Sequence, residues 1–410
     1  MWRAIGNLTG VAGTERAIVK VLIAGAGIAG LTLASLLLRR GHQVRIFEQA
    51  REMVEIGAGL QISANSGHVL RELGLEDQLR AASFLPERWV MRTFLSGDTV
   101  NEIALGDHHD GLHGHPYCLV HRADLQRMLV GSVLEQDPGA LELGVQITGF
   151  DETTRGVTLI CADGRRIEGD LAIGADGVKS VLRRQIIGPD RPVYSGNSAW
   201  RGTIPADRLP VGFSSQTTTS FMGPGRHIIY YWLRGGTLLN FVAPVETDQP
   251  SEESWTTKHD WEELKSDFEG WHDDVQTVID AVDRDACYRW ALNIREPVEN
   301  WRSERAIVIG DAAHPTLPFI AQGAAMAVED AMVLTRSLEL ASDVTQALDM
   351  FQNARIARTS RMVTGANRMS KMFHHETEDA LRQAMIDGAD LAKDRDKWLY
   401  NYNPVTVPLG

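Results

Sequence analysis

Cysteine is scarce in this 410-residue chain: Cys118, Cys161 and Cys287 stand far apart, and no CxxC pair occurs. That excludes a redox dithiol and a cysteine-rich zinc site, and an odd, sparse count fits a reducing cytoplasm. Positive charge is in deficit too. The 41 Lys and Arg face 54 Asp and Glu, a formal charge of −13, which argues against nucleic acid or an anionic membrane as partner. An anionic substrate would need a local basic group. No run of eighteen apolar residues occurs, so no helical membrane span is expected. The first seventeen residues lack the apolar stretch of a secretion signal and read as a short extension. A GxSxG elbow, an HExxH pair and a lysine-bearing phosphate loop are all missing, which removes three common hydrolytic chemistries. There is no internal repeat and no low-complexity segment.

What is present suits a globular protein of two or three domains, with 43% hydrophobic and 23% charged residues. Residues 17–50 read as a β-α-β unit. AIVKVLIA is a buried strand, LTLASLLLRRG a helix closed by arginines and Gly41, and HQVRIFEQA a second strand ending at Glu48. GAGLQISANSGHVLRELGL (57–75) reads as a glycine loop and then a helix. Residues 87–105 alternate like a hairpin turning near Ser96-Gly97-Asp98, 122–136 have helical spacing, and 141–177 read as three or four strands. From about Tyr194 to Trp290 the chain is strand-rich and aromatic, with one helical stretch near 258–285. AIVIGDAA (306–313) returns to a buried strand, and from 324 onward the pattern is helical. The fold class is therefore α/β: a Rossmann-like dinucleotide domain (17–75, 106–187 and 296–340), an inserted, mostly antiparallel substrate domain (76–105 and 188–295), and C-terminal helices (341–410).

Three segments carry chemistry: GAGIAG (25–30), GADG (174–177) and GDAAHPTLPFIAQGAAMAVEDA (310–331). In GAGIAG, Gly25, Gly27 and Gly30 lie between a strand and a helix, the context a dinucleotide fingerprint requires. The first glycine permits the turn, the second lets backbone approach a pyrophosphate, and the third lets helix and strand pack. Glu48, 23 positions after Gly25, suits ribose hydroxyls. The fingerprint alone does not separate NAD from FAD. In AIVIGDAAHPTLP a strand delivers Gly310-Asp311 to a turn, where the carboxylate either accepts from a ribityl chain or simply caps the turn. AQGAAM then opens a helix whose first N–H groups would face the electron-rich edge of a flavin.

With HRADLQ (121–126) and GADGVKSVLR (174–183), these motifs make the chain resemble the single-component FAD-dependent aromatic hydroxylases from about residue 20 to 335. The resemblance implies FAD, held by Gly25, Gly27, Ala29, Gly30, Glu48, Gly59, Arg122, Asp176, Asp311, Pro318, Gly323 and Ala324. Arg122 would meet the ribityl and phosphate region, and Asp176 would support the dinucleotide site and the approach of NADH or NADPH. Within RHIIYYWL, His227 and Tyr231 are four apart, so on a strand they share a face. Without the resemblance they read as ordinary sheet packing. With it, His227 becomes the base or relay for a ring hydroxyl's proton and Tyr231 its hydrogen-bond partner, and Gln322 joins them as a catalytic candidate that crowds the flavin face with Pro318 and Phe319. The arrangement looks like hydroxylases of 3-hydroxybenzoate, salicylate and 6-hydroxynicotinate. The implied reaction uses dioxygen through a flavin C4a-hydroperoxide, with or without decarboxylation. The enzyme would be cytoplasmic and a monomer or homodimer.

GDHHDGLHGH holds four histidines but reads as a surface loop near the pocket mouth rather than a metal site, and no metal is expected. Two alternatives of other kinds remain. A flavin-dependent epoxidase or reductase of an apolar substrate should carry a greasy C-terminal helix, and this C-terminus is polar. A non-catalytic ligand-binding flavoprotein would show no aromatic-dependent NAD(P)H oxidation. A halogenase should carry a lysine-bearing glycine motif and WxW, and neither is present.

Overall fold

A computed structural model of the chain describes residues 18–53, 58–214, 216–249, 257–388, 394 and 397–409. The short N-terminal extension and the first residue of the 57–75 loop lie outside them. A five-stranded parallel sheet has the order Ala306–Val308, Leu171–Gly174, Lys20–Ala24, Gln43–Glu48, Leu141–Leu143. Its strands Ala306–Val308, Leu171–Gly174 and Lys20–Ala24 are short, almost wholly apolar runs because both faces are covered, by Ile28–Arg39 and Gly323–Leu340 among other elements. Fully buried Val21, Leu22, Ile23, Ile307 and Val308 form the centre of this core.

A seven-stranded sheet makes the second half, in the order Tyr288–Ile294, Val193–Pro205, Leu238–Glu246, Arg226–Leu233, Thr217–Gly223, Arg88–Thr93, Thr99–Ala104. All its pairings are antiparallel except that of Thr217–Gly223 with Arg88–Thr93. Alternation sorts the two faces. Trp200, Ile228, Tyr230 and Phe241 turn outward onto Trp261–Asp267 and Asp273–Asp280. Ala199, Met222 and Trp290 turn inward onto Phe319 and the C-terminal helices. The Val344–Phe373 helix bridges both halves: Leu348 and Phe351 join the first core, and Ala366, Met369 and Phe373 cover the inner face of the sheet.

Several details depart from the sequence reading. The 57–75 segment contains a strand, Gly59–Ile62, paired antiparallel with Cys118–His121 before its helix Ala64–Glu72. The 141–177 segment holds five strands, not three or four. Residues 76–82, expected in the substrate half, form the helix Glu76–Ala82, which packs Leu79 into the core of the parallel sheet. GDHHDGLHGH is no surface loop. It forms the helix Gly106–His113, with His109 and His115 buried. No group of three or more His, Cys, Asp or Glu among the described residues could hold a metal, and no helix there is long and apolar enough to cross a membrane.

Candidate active site

The three motifs, far apart in sequence, meet at the carboxyl ends of the parallel strands. Gly25 has φ +101, and a Cβ there would clash with the Ala175 carbonyl, while one on Gly30 would strike the Gly25 carbonyl. The Ala175 N–H donates to Ala24 O at 2.8 Å, and the Ile309 N–H to Gly174 O at 3.0 Å. Arg183, buried, donates to the carbonyls of Ala312 and Ala313, both at 2.8 Å. Gly310, with φ +60, wedges between helices: a Cβ there would lie 3.0 Å from Ala29 Cβ and 3.3 Å from Ala327 Cβ. GAGIAG, GADG and GDAAHP therefore pack as one cradle.

The cradle leaves specific groups available. A Cβ on Gly27 would meet nothing within 4 Å. Gly27 caps Ile28–Arg39 with no side-chain hydrogen bond, and the first turn carries no acidic residue. That leaves N–H groups and a positive dipole end facing open space, the setting for a diphosphate. Glu48 accepts from the Ala26 and Ala50 N–H groups, both at 2.9 Å, which fixes the carboxylate while sparing lone pairs for a ribose. Asp311 is exposed, and among the described residues no hydrogen bond or ion pair engages its carboxylate. Gly323 and Ala324 begin Gly323–Leu340, again with no side-chain cap and no acid in the first turn. Pro318 is exposed at the start of the 3₁₀ turn Pro318–Ile320, followed by Ala321 in the left-handed region at φ +53. This donor set fits FAD: uncapped amides for phosphates and ring, free carboxylate for hydroxyls.

Other expected residues take different duties. Asp176 Oδ2 accepts from the Val181 N–H at 2.8 Å, capping Val181–Ile186. Its Oδ1 is buried without a partner, and burial raises its pKa. Gly59 lies at the seam between the halves. A Cβ there would lie 2.6 Å from Tyr231 Cε2 and 2.9 Å from Asn240 Cγ, and its N–H donates to Asn240 Oδ1 at 2.7 Å. Gln322 is buried, its Oε1 accepts from Asn65 Nδ2 at 3.0 Å, and its Nε2 donates to Ser63 Oγ at 3.2 Å. It anchors the start of the Gly323–Leu340 helix. Arg122 opens Arg122–Gln136 and donates its N–H to Ala58 O at 3.0 Å.

Under the cradle lies a buried ionic network that sequence reasoning missed. Asp330 accepts from the Gly310 N–H at 2.9 Å, lies 2.6 Å from His314 Nε2, and accepts from Arg355 Nε at 2.7 Å. Glu329 accepts from Asn65 Nδ2 at 2.6 Å, and its two oxygens take Arg358 Nη2 at 2.7 Å and Nε at 2.8 Å. Burial alone would raise both carboxylic acids, but the neighbouring cations outweigh it and hold them below the usual range. VEDA carries two adjacent acids and ARIART two arginines three apart, but neither their pairing across 25 or more residues nor the burial of the whole set is visible in one dimension.

The inner face of the seven-stranded sheet carries His227 and Tyr231, as alternation requires, but they are not partners. Four residues of strand separate them by about 13 Å. Tyr231 is buried against Tyr117, Leu119 and Leu233, with Gln61 as its hydrogen-bonding neighbour. His227 sits between the rings of Phe319 (5.5 Å) and Phe373 (5.0 Å), and burial drives its pKa well down, so it is neutral. Its Nδ1 lies 2.9 Å from His374 Nε2. Arg201 is buried over Trp290 on the same face, and burial followed by the nearby charge of Arg122 lowers it to about 10.

Comparison with known proteins agrees with this geometry. The family model described as FAD binding domain matches residues 18–366. The 3-amino-4-hydroxybenzoate 2-monooxygenase of Streptomyces cremeus is 36% identical over 87% of this chain and 88% of its own. The 6-hydroxynicotinate 3-monooxygenase of Pseudomonas fluorescens is 31% identical over 95% and 96%. The crystal structure of a single-substitution variant of Klebsiella pneumoniae HpxO complexed with FAD superposes with a TM-score of 0.83 at 26% identity, covering 95% of this chain and all of that one.

Proposed function

The chain belongs to the FAD binding domain family, and from that premise we propose that it hydroxylates a hydroxylated aromatic or N-heteroaromatic carboxylate. It is an FAD-dependent aromatic-ring monooxygenase with NAD(P)H as reductant. Bound FAD supplies reduction by NAD(P)H and activation of dioxygen, which no side chain can provide.

The protein's part is binding, orientation and proton handling. In our reading, Gly25, Gly27, Ala29 and Gly30 hold the diphosphate, Glu48 the ribose, and Arg122 with Asp311 the ribityl region. Gly323 and Ala324 aim amides at the ring, and Pro318 flanks it. Asp176 keeps its helix cap and supports that cradle indirectly. Substrate lies between Phe319 and the inner sheet face, with its carboxylate toward the cation of Arg201. His227 Nε2 takes the ring hydroxyl's proton and raises the nucleophilicity of the ring carbon that is oxygenated. Apolar Met222, Phe319 and Phe373 keep water away. Three buried, unpaired cysteines suit a reducing compartment, and on that ground we assign the enzyme to the cytoplasm.

The observation that carries this reading is a neutral, buried histidine on the sheet face opposite the flavin-side turn. The experiment is a panel of 3-hydroxybenzoate, salicylate, 6-hydroxynicotinate and 3-amino-4-hydroxybenzoate with NADH and NADPH, with product mass measured. Oxygenated product coupled to nucleotide oxidation is expected. Peroxide alone across hydroxylated carboxylates would defeat the substrate class.

A further inference from the structure

Proton abstraction inside this pocket raises a difficulty. A histidine wedged between Phe319 and Phe373 resists becoming charged, so acting alone it would be a weak base and would return any proton it took to the substrate. The structure contains an exit. His227 Nδ1 lies 2.9 Å from His374 Nε2, and His374 Nδ1 lies 2.6 Å from Glu246 Oε1. The His374 side chain is 3% exposed, whereas that of Glu246 is 52% exposed. The row therefore runs from the buried sheet face to solvent.

The terminal carboxylate also sets the tautomers. An ionised carboxylate only accepts, so His374 donates from Nδ1 and presents a bare Nε2. His227 must then donate from Nδ1, which leaves its own Nε2 with the lone pair a base requires. The groups facing His374 are Glu246 and Arg226 from the sheet, His227, and His375 beside it in the chain. His227 faces His374 and otherwise aromatic rings. Burial lowers His374, and the Glu246 carboxylate opposes that shift.

We infer that His374 and Glu246 complete a proton relay which carries the substrate hydroxyl's proton from His227 to solvent. The inference rests on the reading of His227 given above. The substrate O–H bond breaks as a bond to His227 Nε2 forms. The Nδ1 proton of His227 passes to His374 Nε2, and the Nδ1 proton of His374 passes to Glu246 and then to water. The substrate anion stays in the pocket, and no redox change accompanies the transfer. His374 and Glu246 are positioning and relay residues, since neither touches the ring.

The test uses full-length FAD-loaded enzyme and needs no turnover for its first readout. 3-Hydroxybenzoate or 6-hydroxynicotinate, whichever the panel accepts, is bound to oxidised enzyme, and its ionisation is followed by ultraviolet absorbance against pH. In E246Q and H374Q the bound hydroxyl should ionise at a pH higher by about one unit or more, and hydroxylation at neutral pH should fall about tenfold or more. FAD affinity should stay at the parent value. Imidazole should restore part of the rate to H374A. E246Q alters an exposed side chain, so it remains informative if a His374 variant does not fold. Unchanged ionisation and pH–rate profiles in E246Q, with H227N inactive, would overturn the relay alone. An unimpaired H227N would instead remove the reading beneath it.

Discussion

Replacing Gly27 with alanine separates binding from folding more cleanly than any other change in the cradle. Its φ of −75 is ordinary for an L-residue, and an added Cβ meets nothing within 4 Å. Two small terms act on the apoprotein. Reduced freedom of the unfolded chain stabilises it by about 0.4–1 kcal/mol, and loss of a good N-cap costs roughly 0.5–1 kcal/mol. They nearly cancel, so the apoprotein's urea midpoint should hardly move. FAD binding is different, because the new methyl occupies the space through which a diphosphate reaches the uncapped amides of Ile28–Arg39. Losing one charge-assisted hydrogen bond costs about 1.5–3 kcal/mol, a weakening of roughly 10- to 150-fold. Flavin fluorescence quenching on titration of apoprotein with FAD measures it. An unchanged Kd would refute the placement of the diphosphate, and a collapse of apoprotein stability would refute the claim of open space.

H227N should lower hydroxylation by about 10²–10⁴-fold with FAD still bound, checked by single-turnover absorbance and flavin content. D330N leaves Arg355 and Arg358 facing one carboxylate, an uncompensated buried charge worth about 3–5 kcal/mol, read from urea unfolding. G59A forces a methyl against Tyr231 and Asn240, and should cost about 1–3 kcal/mol by overpacking while FAD affinity changes little. Burial holds His109 at about 3 and His115 at about 4, so both are neutral when folded. On acidification the unfolded chain takes up protons first, near its ordinary 6.5. Stability is therefore full above that value and declines as pH falls from it toward 3, and H109F should flatten this slope in urea midpoints measured across pH.

The parallel sheet was legible because the strands Lys20–Ala24, Leu171–Gly174 and Ala306–Val308 are almost wholly apolar runs and its glycines mark turns that only glycine allows, as at Gly25. Gly310-Asp311 was legible for the same reason. What could not be read was pairing across the sequence. Tyr231 shares a face with His227, as period two demands, but its neighbours Gly59 and Gln61 come from another sheet, and His227's partner comes from the end of a helix 147 residues away. Gln322 looked catalytic because it sits beside the flavin-side turn, yet Ser63 and Asn65 claim its amide. The histidine-rich 106–115 segment looked like loop because of its glycines. It folds as helix because Gly114 supplies the left-handed stop and Tyr400 covers the His109 ring.

One rod of 30 residues, about 45 Å long, rests on both halves of the molecule. Clamshell opening would have to snap it or strip Leu348 and Phe351 from one seat, or Met369 and Phe373 from the other. Traffic of aromatic rings in and out must therefore be governed by small local rearrangements at the mouth. The same stiffness ties His374, just past the rod's tip, to the scaffold that grips the cofactor, so chemistry at one end keeps its alignment with the other through every cycle.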